Sequence, residues 1–209
     1  MKLASLVSSG IDSPVATFLM SKKSDEIILI HAETQPFSSK EETKNFLKLA
    51  KYLKEICKCS VKVVIVPHGK SLSDFKKNSE NKFTCVFCKR MMLRYAERIA
   101  SKYSCEAIVM GDSLGQVASQ TLQNIKTIEE AVNIPVFRPL IGFDKEDVIK
   151  IAKEIGTYDL SILPSSGCSA VPNKPSTMAK IEKIIQEENK VDIENLVNNA
   201  IKNSRFIEI

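Results

Sequence analysis

Apolar positions along the chain fall into short unbroken runs separated by longer stretches with helical spacing. Leu3, Leu6 and Val7 belong to a first run; EIILIH (26–31), VKVVIV (61–66), AIVM (107–110) and Pro135–Phe137 follow. Runs this short and apolar, bounded by turn residues, predict strands buried on both faces. Between them, Val15, Phe18 and Leu19 share a face of a helix starting at Ser13-Pro14, and Phe46, Leu47, Ala50 and Leu53 share one over 38–56. Ser39 and Glu42 stand at capping-box spacing before the latter. Residues 86–102 predict a helix with Met91, Met92, Tyr95 and Ile99 on one side, and 117–132 predict another after a glycine turn. Asp144–Ile155 reads as a helix capped by Asp144 and stopped by Gly156. Residues 67–84, polar and lysine-rich, predict a surface excursion with one helical turn. From Ser176 onward the pattern is amphipathic helix.

Strands alternating with helices imply an α/β fold, a doubly wound and mostly parallel five-stranded sheet with a C-terminal helical extension. Residues 1–175 form the domain and residues 176–209 extend it. In such sheets ligands sit beyond the carboxyl ends of the strands. Val7, His31, Val66 and Met110 are the predicted ends, so the loops after them converge on one crevice.

Composition narrows the class. Of 209 residues, 44% are hydrophobic and 26% charged, which suits a globular chain rather than a disordered one. No apolar run approaches the roughly 18 residues of a membrane span, and no signal peptide is read, so the expected location is cytoplasmic. The net charge of +5 suits an anionic partner such as ATP or RNA. Six cysteines without a secretory signal argue for packed, catalytic or metal-bound thiols rather than a disulfide framework.

The first strand stops in Leu6-Val7-Ser8-Ser9-Gly10-Ile11-Asp12-Ser13. Strand, tight polar loop and helix start together aim backbone N–H groups at an anion. Gly10 admits a phosphate without a Cβ in the way, and Ser8, Ser9 and Ser13 add hydroxyl donors. The Walker spacing and its lysine are absent. The loop resembles the S-G-G-x-D-S loop of the PP-loop ATP pyrophosphatases, with Ser9 where the first glycine usually stands. That departure is mild at negative φ and serious at positive φ.

Three more stretches extend the resemblance: CKRMMLRYAERIA in 87–100, GDSLGQVASQT (111–121) and RPLIGFDKEDVIKIAKEIGTYDLSI (138–162). With SSGIDSPVA and the Pro36–Ser39 turn, they resemble the catalytic domain of the ThiI-type tRNA 4-thiouridine synthetases from Leu3 to Pro175. The family's ferredoxin-like, THUMP and rhodanese regions have no counterpart here. The resemblance therefore implies tRNA presented by a separate RNA-binding protein or domain. A homodimer is the other option, and no exposed stripe chooses between them.

The resemblance implies an ATP site. Leu6 and Val7 would lie against adenosine, with Ser8, Gly10 and Ser13 at the phosphates. His31 and Ala32 would line the adenine pocket, and Lys89 would meet the phosphates. Gly111 would let the nucleotide approach, and Gln120 would hydrogen-bond it. Asp12 would organise Mg²⁺ and pyrophosphate. Without the family, His31 reads equally as a strand-end residue, Lys89 as a solvated helix charge and Gly111 as a turn glycine.

Cys85 and Cys88 form a C-x-x-C at a helix start, where the helix N-terminus, Lys89 and Arg90 favour thiolates. Cys168, in Ser-Ser-Gly-Cys-Ser, matches the family's loop carrying the catalytic cysteine. Three cysteines from two loops suit an iron–sulfur cluster, a 4Fe-4S type with one iron open. Zinc is the rival and needs a fourth ligand from His68, Cys57 or Cys59. A dithiol redox pair is a third option, and persulfide chemistry on Cys168 the fallback. Cys105 reads as core. The implied reaction adenylylates a uracil-type carbonyl in tRNA and replaces its oxygen with sulfur from sulfide or a cysteine desulfurase. The alternatives are an adenylylating sulfur-transfer or amidation enzyme on a non-tRNA substrate, and a nucleotide- or iron–sulfur-binding subunit without catalysis.

Overall fold

The structure, a computed structural model, describes all of residues 1–209. Four strands, β1 (Lys2–Leu6), β2 (Glu26–Glu33), β3 (Ser60–Pro67) and β4 (Ala107–Val109), form the parallel centre of one sheet. A short β5 (Val136–Phe137) adds in parallel beside β4. The expected five strands become six, because β6 (Arg205–Ile207) runs antiparallel along the free edge of β3. The order is β5-β4-β1-β2-β3-β6.

Helices cover both faces, as a parallel sheet requires. On one face α1 (Asp12–Ser21), α2 (Lys40–Ile56) and α6 (Lys145–Glu154) pack over Leu3, Val7, Ile27, Leu29 and Val63. On the other, α3 (Gly69–Asn78), α4 (Thr84–Tyr103) and α9 (Ile193–Lys202) cover Ala4, Leu6, Ile28, Ile30 and Val64. Alternate residues of each strand thus feed two separate cores. Three shorter helices complete the chain: α5 (Leu122–Glu129), α7 (Tyr158–Ser161) and α8 (Ile181–Glu188).

Several local expectations are corrected. The polar stretch after β3 is not a surface excursion with one turn. It folds as α3, which buries Leu72 and Phe75 at helical spacing and stacks Phe75 on Phe87 at 4.5 Å. The helix expected over 117–132 is a single 3-10 turn at Ala118–Gln120 followed by α5, whose N-cap Thr121 accepts from the Asn124 amide. The single C-terminal helical stretch is α8, α9 and then β6. Ser39 and Asp144 do stand at the N-caps of α2 and α6, but neither side chain makes a cap bond. Glu42, the reciprocal half of the capping box, faces His31 instead.

An ion cluster ties α8 to α4. The Glu188 carboxylate accepts from Arg90 Nε and Nη2, both at 2.9 Å, and from Arg94 Nη1 and Nη2 at 2.7 and 2.9 Å. Arg90 also donates to the Thr127 carbonyl. Burial works against the Glu188 charge, but the two guanidinium groups hold its carboxyl below the usual range.

Candidate active site

Beyond the carboxyl ends of β1, β2 and β4 lies a cavity of about 800 Å³. Leu6, Val7, Ser8, Gly10, Asp12 and Ser13 form its floor. His31 and Ala32 line it at the end of β2, Lys89 from α4, and Gly111 and Gln120 after β4. Cys88 and Cys168 also line it, whereas Cys85 lies outside the lining. All of the residues expected at the nucleotide, and two of the three cysteines expected at the sulfur site, therefore meet around one space.

The floor loop is held by its own serines. Ser8 N–H donates to Ser13 Oγ at 2.9 Å, and Gly10 N–H donates to Ser8 Oγ at 3.2 Å. Neither Ser9 nor Gly10 has a positive φ, so serine replaces the usual glycine without backbone strain. Ser9 Oγ instead reaches Glu42 Oε1 at 3.5 Å. Gly111, which lines the cavity, also has a packing use. A Cβ there would stand 2.6 Å from Ser13 Cα, so its missing side chain lets the end of β4 press on the start of α1, backbone on backbone.

His31 is buried and stacked on Phe46 at 4.2 Å. Its Nδ1 lies 3.0 Å from the Val7 carbonyl, which can only accept, so Nδ1 carries the proton. Its Nε2 lies 3.3 Å from Glu42 Oε2, and neither atom has a hydrogen-bond partner. Gln116 Nε2 and Gln120 Oε1 are likewise buried without partners in the same wall. Unspent polar valence around one cavity is what a polar ligand uses.

Lys89 is not a solvated helix charge: its Nζ bonds Asp112 Oδ1 at 2.6 Å. Arg138 Nε stands 3.4 Å from the other carboxylate oxygen, and Gln120 Nε2 donates to Oδ1 at 3.3 Å. Burial opposes the Asp112 charge, yet Lys89 and Arg138 keep its carboxyl below the usual range. Asp12 Oδ1 is met at 2.6 Å by Lys145 Nζ from the first residue of α6. Lys145, Asp112 and Arg138 join the site without having stood out in the sequence, and Glu42 joins it from a position that reads there as half of a capping box. Lys145 carried a signal: a cation in the first turn opposes the helix dipole and wants an anion in front of it.

The cysteine loop is anchored to the turn before α2. Ser169 N–H and Oγ both donate to the Phe37 carbonyl, at 2.7 and 3.0 Å, and Ser39 N–H donates to Ser166 Oγ at 3.1 Å. This places Cys168 over the floor loop, near Cys88 and Cys85. Burial works against the thiolate form that the helix start and Lys89 favour. Burial, with the charges of neighbouring cysteines, pushes Cys88 up to about 12 and raises Cys85 as well. Arg90 gives them no help because it turns to Glu188 on the other side of α4. Cys57 and Cys59, offered as fourth ligands, lie before β3 at the opposite end of the sheet. Cys105 is buried, as expected.

Sheet order, floor loop and cavity define an α/β nucleotide-binding domain of the PP-loop ATP pyrophosphatase kind. The chain belongs to the ThiI family: the model described as thiamine biosynthesis protein (ThiI) matches residues 2–193. A probable tRNA sulfurtransferase of Methanothermobacter thermautotrophicus is 42% identical over 193 residues, 92% of this chain and 50% of that protein. One of the same name from Methanocaldococcus jannaschii is 41% identical over 196 residues, again 92% and 50%. The chain spans about half the length of the curated relatives it matches. Among solved structures, a 4-thiouridine synthetase–RNA complex with bound ATP matches at TM-score 0.93 and 34% identity, over 99% of this chain and 55% of that one. NMN synthetase from Francisella tularensis, at TM-score 0.59 and 13% identity over 96% of this chain and 83% of that one, shares the fold. No helix is long and apolar enough to cross a membrane.

Proposed function

We propose that this chain carries the catalytic part of an ATP-dependent tRNA sulfurtransferase, which converts a uridine C4 carbonyl to a thiocarbonyl. The reading is supported by one observation above all: the floor loop and the Cys168 loop face the same cavity. The ATP- and RNA-bound relative supports the nucleotide and the RNA. An RNA-binding protein or domain in addition to these residues presents the tRNA.

In the first step the uridine O4 attacks the α-phosphorus of ATP. A P–O bond forms, the bond to pyrophosphate breaks, and the N3 proton leaves to solvent. The Ser8–Ser13 loop, Lys145 and Lys89 hold the departing charge. Asp12 fits a Mg²⁺ held mainly through water and phosphate oxygens, since it offers a single carboxylate there. In the second step a sulfur nucleophile adds at C4 and AMP leaves. With a persulfide on Cys168, formed when the Cys168 thiolate takes the sulfane sulfur from a cysteine desulfurase persulfide and releases that enzyme's thiol, the terminal sulfur adds, and a second thiol then breaks the S–S bond. The disulfide left behind is reduced by an external dithiol.

Cys85, Cys88 and Cys168 fit an iron–sulfur cluster by donor type: three soft thiols whose charges interact, with no carboxylate among them. Zinc would need a fourth ligand beside the three thiols, and of the candidates only His68 stands near them, 3.3 Å from Cys88 Sγ. When bound, such a cluster would supply an open iron that carries sulfide.

The test is thiolation of a tRNA transcript by the full chain together with the RNA-binding protein or domain that presents the tRNA, with ATP, Mg²⁺ and either sulfide or a cysteine desulfurase with cysteine, read by 4-thiouridine absorbance and AMP release. Asp12→Ala is expected to abolish AMP release, and Cys168→Ser to abolish thiolation. Full thiolation by Cys168→Ser overturns the sulfur role, and AMP release insensitive to tRNA overturns the RNA substrate.

A further inference from the structure

A row of polar side chains runs through the apolar core behind the Cys88 wall of the cavity. His68 is fully buried, as is Tyr95, and Ser71 is 2% exposed. His68 Nε2 stands 3.3 Å from Cys88 Sγ. On its far side, His68 Nδ1 stands 3.1 Å from Tyr95 Oη, and Tyr95 Oη stands 2.7 Å from Ser71 Oγ. The row is embedded among Phe75, Phe87 and Met91, where an aliphatic side chain would be the ordinary occupant.

The backbone around His68 is tightly fixed. His68 N–H donates to the Glu33 carbonyl at 2.8 Å, and Leu72 N–H donates to the His68 carbonyl at 3.2 Å. A Cβ on the next residue, Gly69, would stand 1.6 Å from the Gln35 carbonyl oxygen, so the chain is pressed against the neighbouring loop there. The imidazole is thus delivered to one place by backbone contacts that have no need of its nitrogens.

The tautomer is tied to the direction of the row. A neutral imidazole has one N–H and one lone pair. The phenol O–H is the best donor in the row, and an imidazole lone pair is the best acceptor. With Ser71 donating to Tyr95 and Tyr95 donating to Nδ1, Nε2 would be left with its hydrogen directed at the Cys88 sulfur; the reverse row, from the Cys88 S–H to Nε2 and from Nδ1–H through Tyr95 to Ser71, spans the same distances and is the outcome that the test below separates. A second residue that fixes the tautomer of a histidine is how proteins orient groups beside reactive sulfur and metals.

We propose that His68 is the positioning residue of Cys88: its Nε2–H, oriented by Tyr95 and Ser71, holds the Cys88 sulfur at the cavity wall and hydrogen-bonds charge carried on that sulfur. This rests on the reading of Cys88 as one of the thiols used in sulfur transfer.

Two measurements test it. The chain has two histidines, so ¹⁵N NMR of histidine-labelled, reduced protein resolves each ring, with His68→Gln identifying the signals. The expected result is a protonated Nε2 and a bare Nδ1 for His68; the reverse tautomer overturns the inference. The second compares His68→Gln, whose amide N–H reaches about the same place, with His68→Phe, which fills the space without a donor. Thiolation kcat is expected to fall about tenfold or more in His68→Phe, to recover to within about threefold in His68→Gln, and ATP KM to stay constant in both. Wild-type kcat in His68→Phe, or an equal loss in the two variants, overturns the inference. If His68→Phe does not fold, Tyr95→Phe, which keeps the ring and removes the donor to Nδ1, is read against the same expectation of a kcat loss at constant KM. Cys88→Ser separates the two ideas. Full thiolation by Cys88→Ser removes the Cys88 reading itself, whereas an inactive Cys88→Ser beside a fully active His68→Phe removes only the role of His68.

Discussion

Lys145 Nζ sits 2.6 Å from Asp12 Oδ1, joining the first turn of α6 to the first turn of α1 across the mouth of the floor loop. The two helices present one cation and one anion where a triphosphate would lie. Lys145→Met leaves Asp12 unopposed and removes a donor from the leaving group. The kcat/KM for ATP in pyrophosphate release is expected to fall about a hundredfold, with little change in melting temperature. An unchanged kcat/KM would reduce Lys145 to a surface partner of Asp12.

Gly111→Ala inserts a methyl group against the Ser13 backbone, 2.6 Å from its Cα. Backbone cannot rotate away as a side chain can. The expected cost is about 1–3 kcal/mol of stability in urea unfolding, together with weaker ATP binding. Wild-type stability with wild-type binding would show that α1 can shift freely on the end of β4.

Cys88, pushed up to about 12 by burial and neighbouring cysteine charges, is a thiol at neutral pH. In metal-free, reduced protein its alkylation by iodoacetamide at pH 8 is expected to be more than about a hundredfold slower than that of a free cysteine. The rate should keep rising with pH past 10, without a plateau near the ordinary thiol range. Peptide mass mapping reads this residue by residue. Fast alkylation at pH 8 would mean that a cation reaches the sulfur.

Glu188 has a folded-state pKa below its unfolded one. Such a group adds stability above the ordinary glutamate value of about 4.3, and loses it as pH falls through the folded value. Glu188→Gln should therefore destabilise at pH 7, by about 3–5 kcal/mol because Arg90 is left buried and unpaired, and should flatten the acid limb of stability against pH. Denaturant melts at pH 7 and pH 3 check this; an equal loss at both would remove the charge from the account.

The central strands were legible because both of their faces are buried, which leaves unbroken apolar words such as IILI at 27–30 in the sequence. α3 was hidden by its lysines. Leu72 and Phe75 are its only large apolar residues, and two apolar residues do not outweigh the seven polar ones in the same helix. β6 was hidden for another reason: three residues at a sheet edge, with Arg205 and Phe206 exposed, have no burial pattern of their own. The floor loop and its glycine could be read from local chemistry. His68, Asp112 and Glu42 could not, because their partners are 20 or more residues away or on another element, and only tertiary approach gives them meaning.

The two hydrogen bonds from Ser169 to the Phe37 carbonyl also join parts of the chain made far apart during synthesis. The nucleotide-facing turn leaves the ribosome more than a hundred residues before the loop that hangs from it. The Cys168 loop, with α8, α9 and β6 after it, is made later than the turn before α2, so the loop can take its place only once that turn exists to hold it.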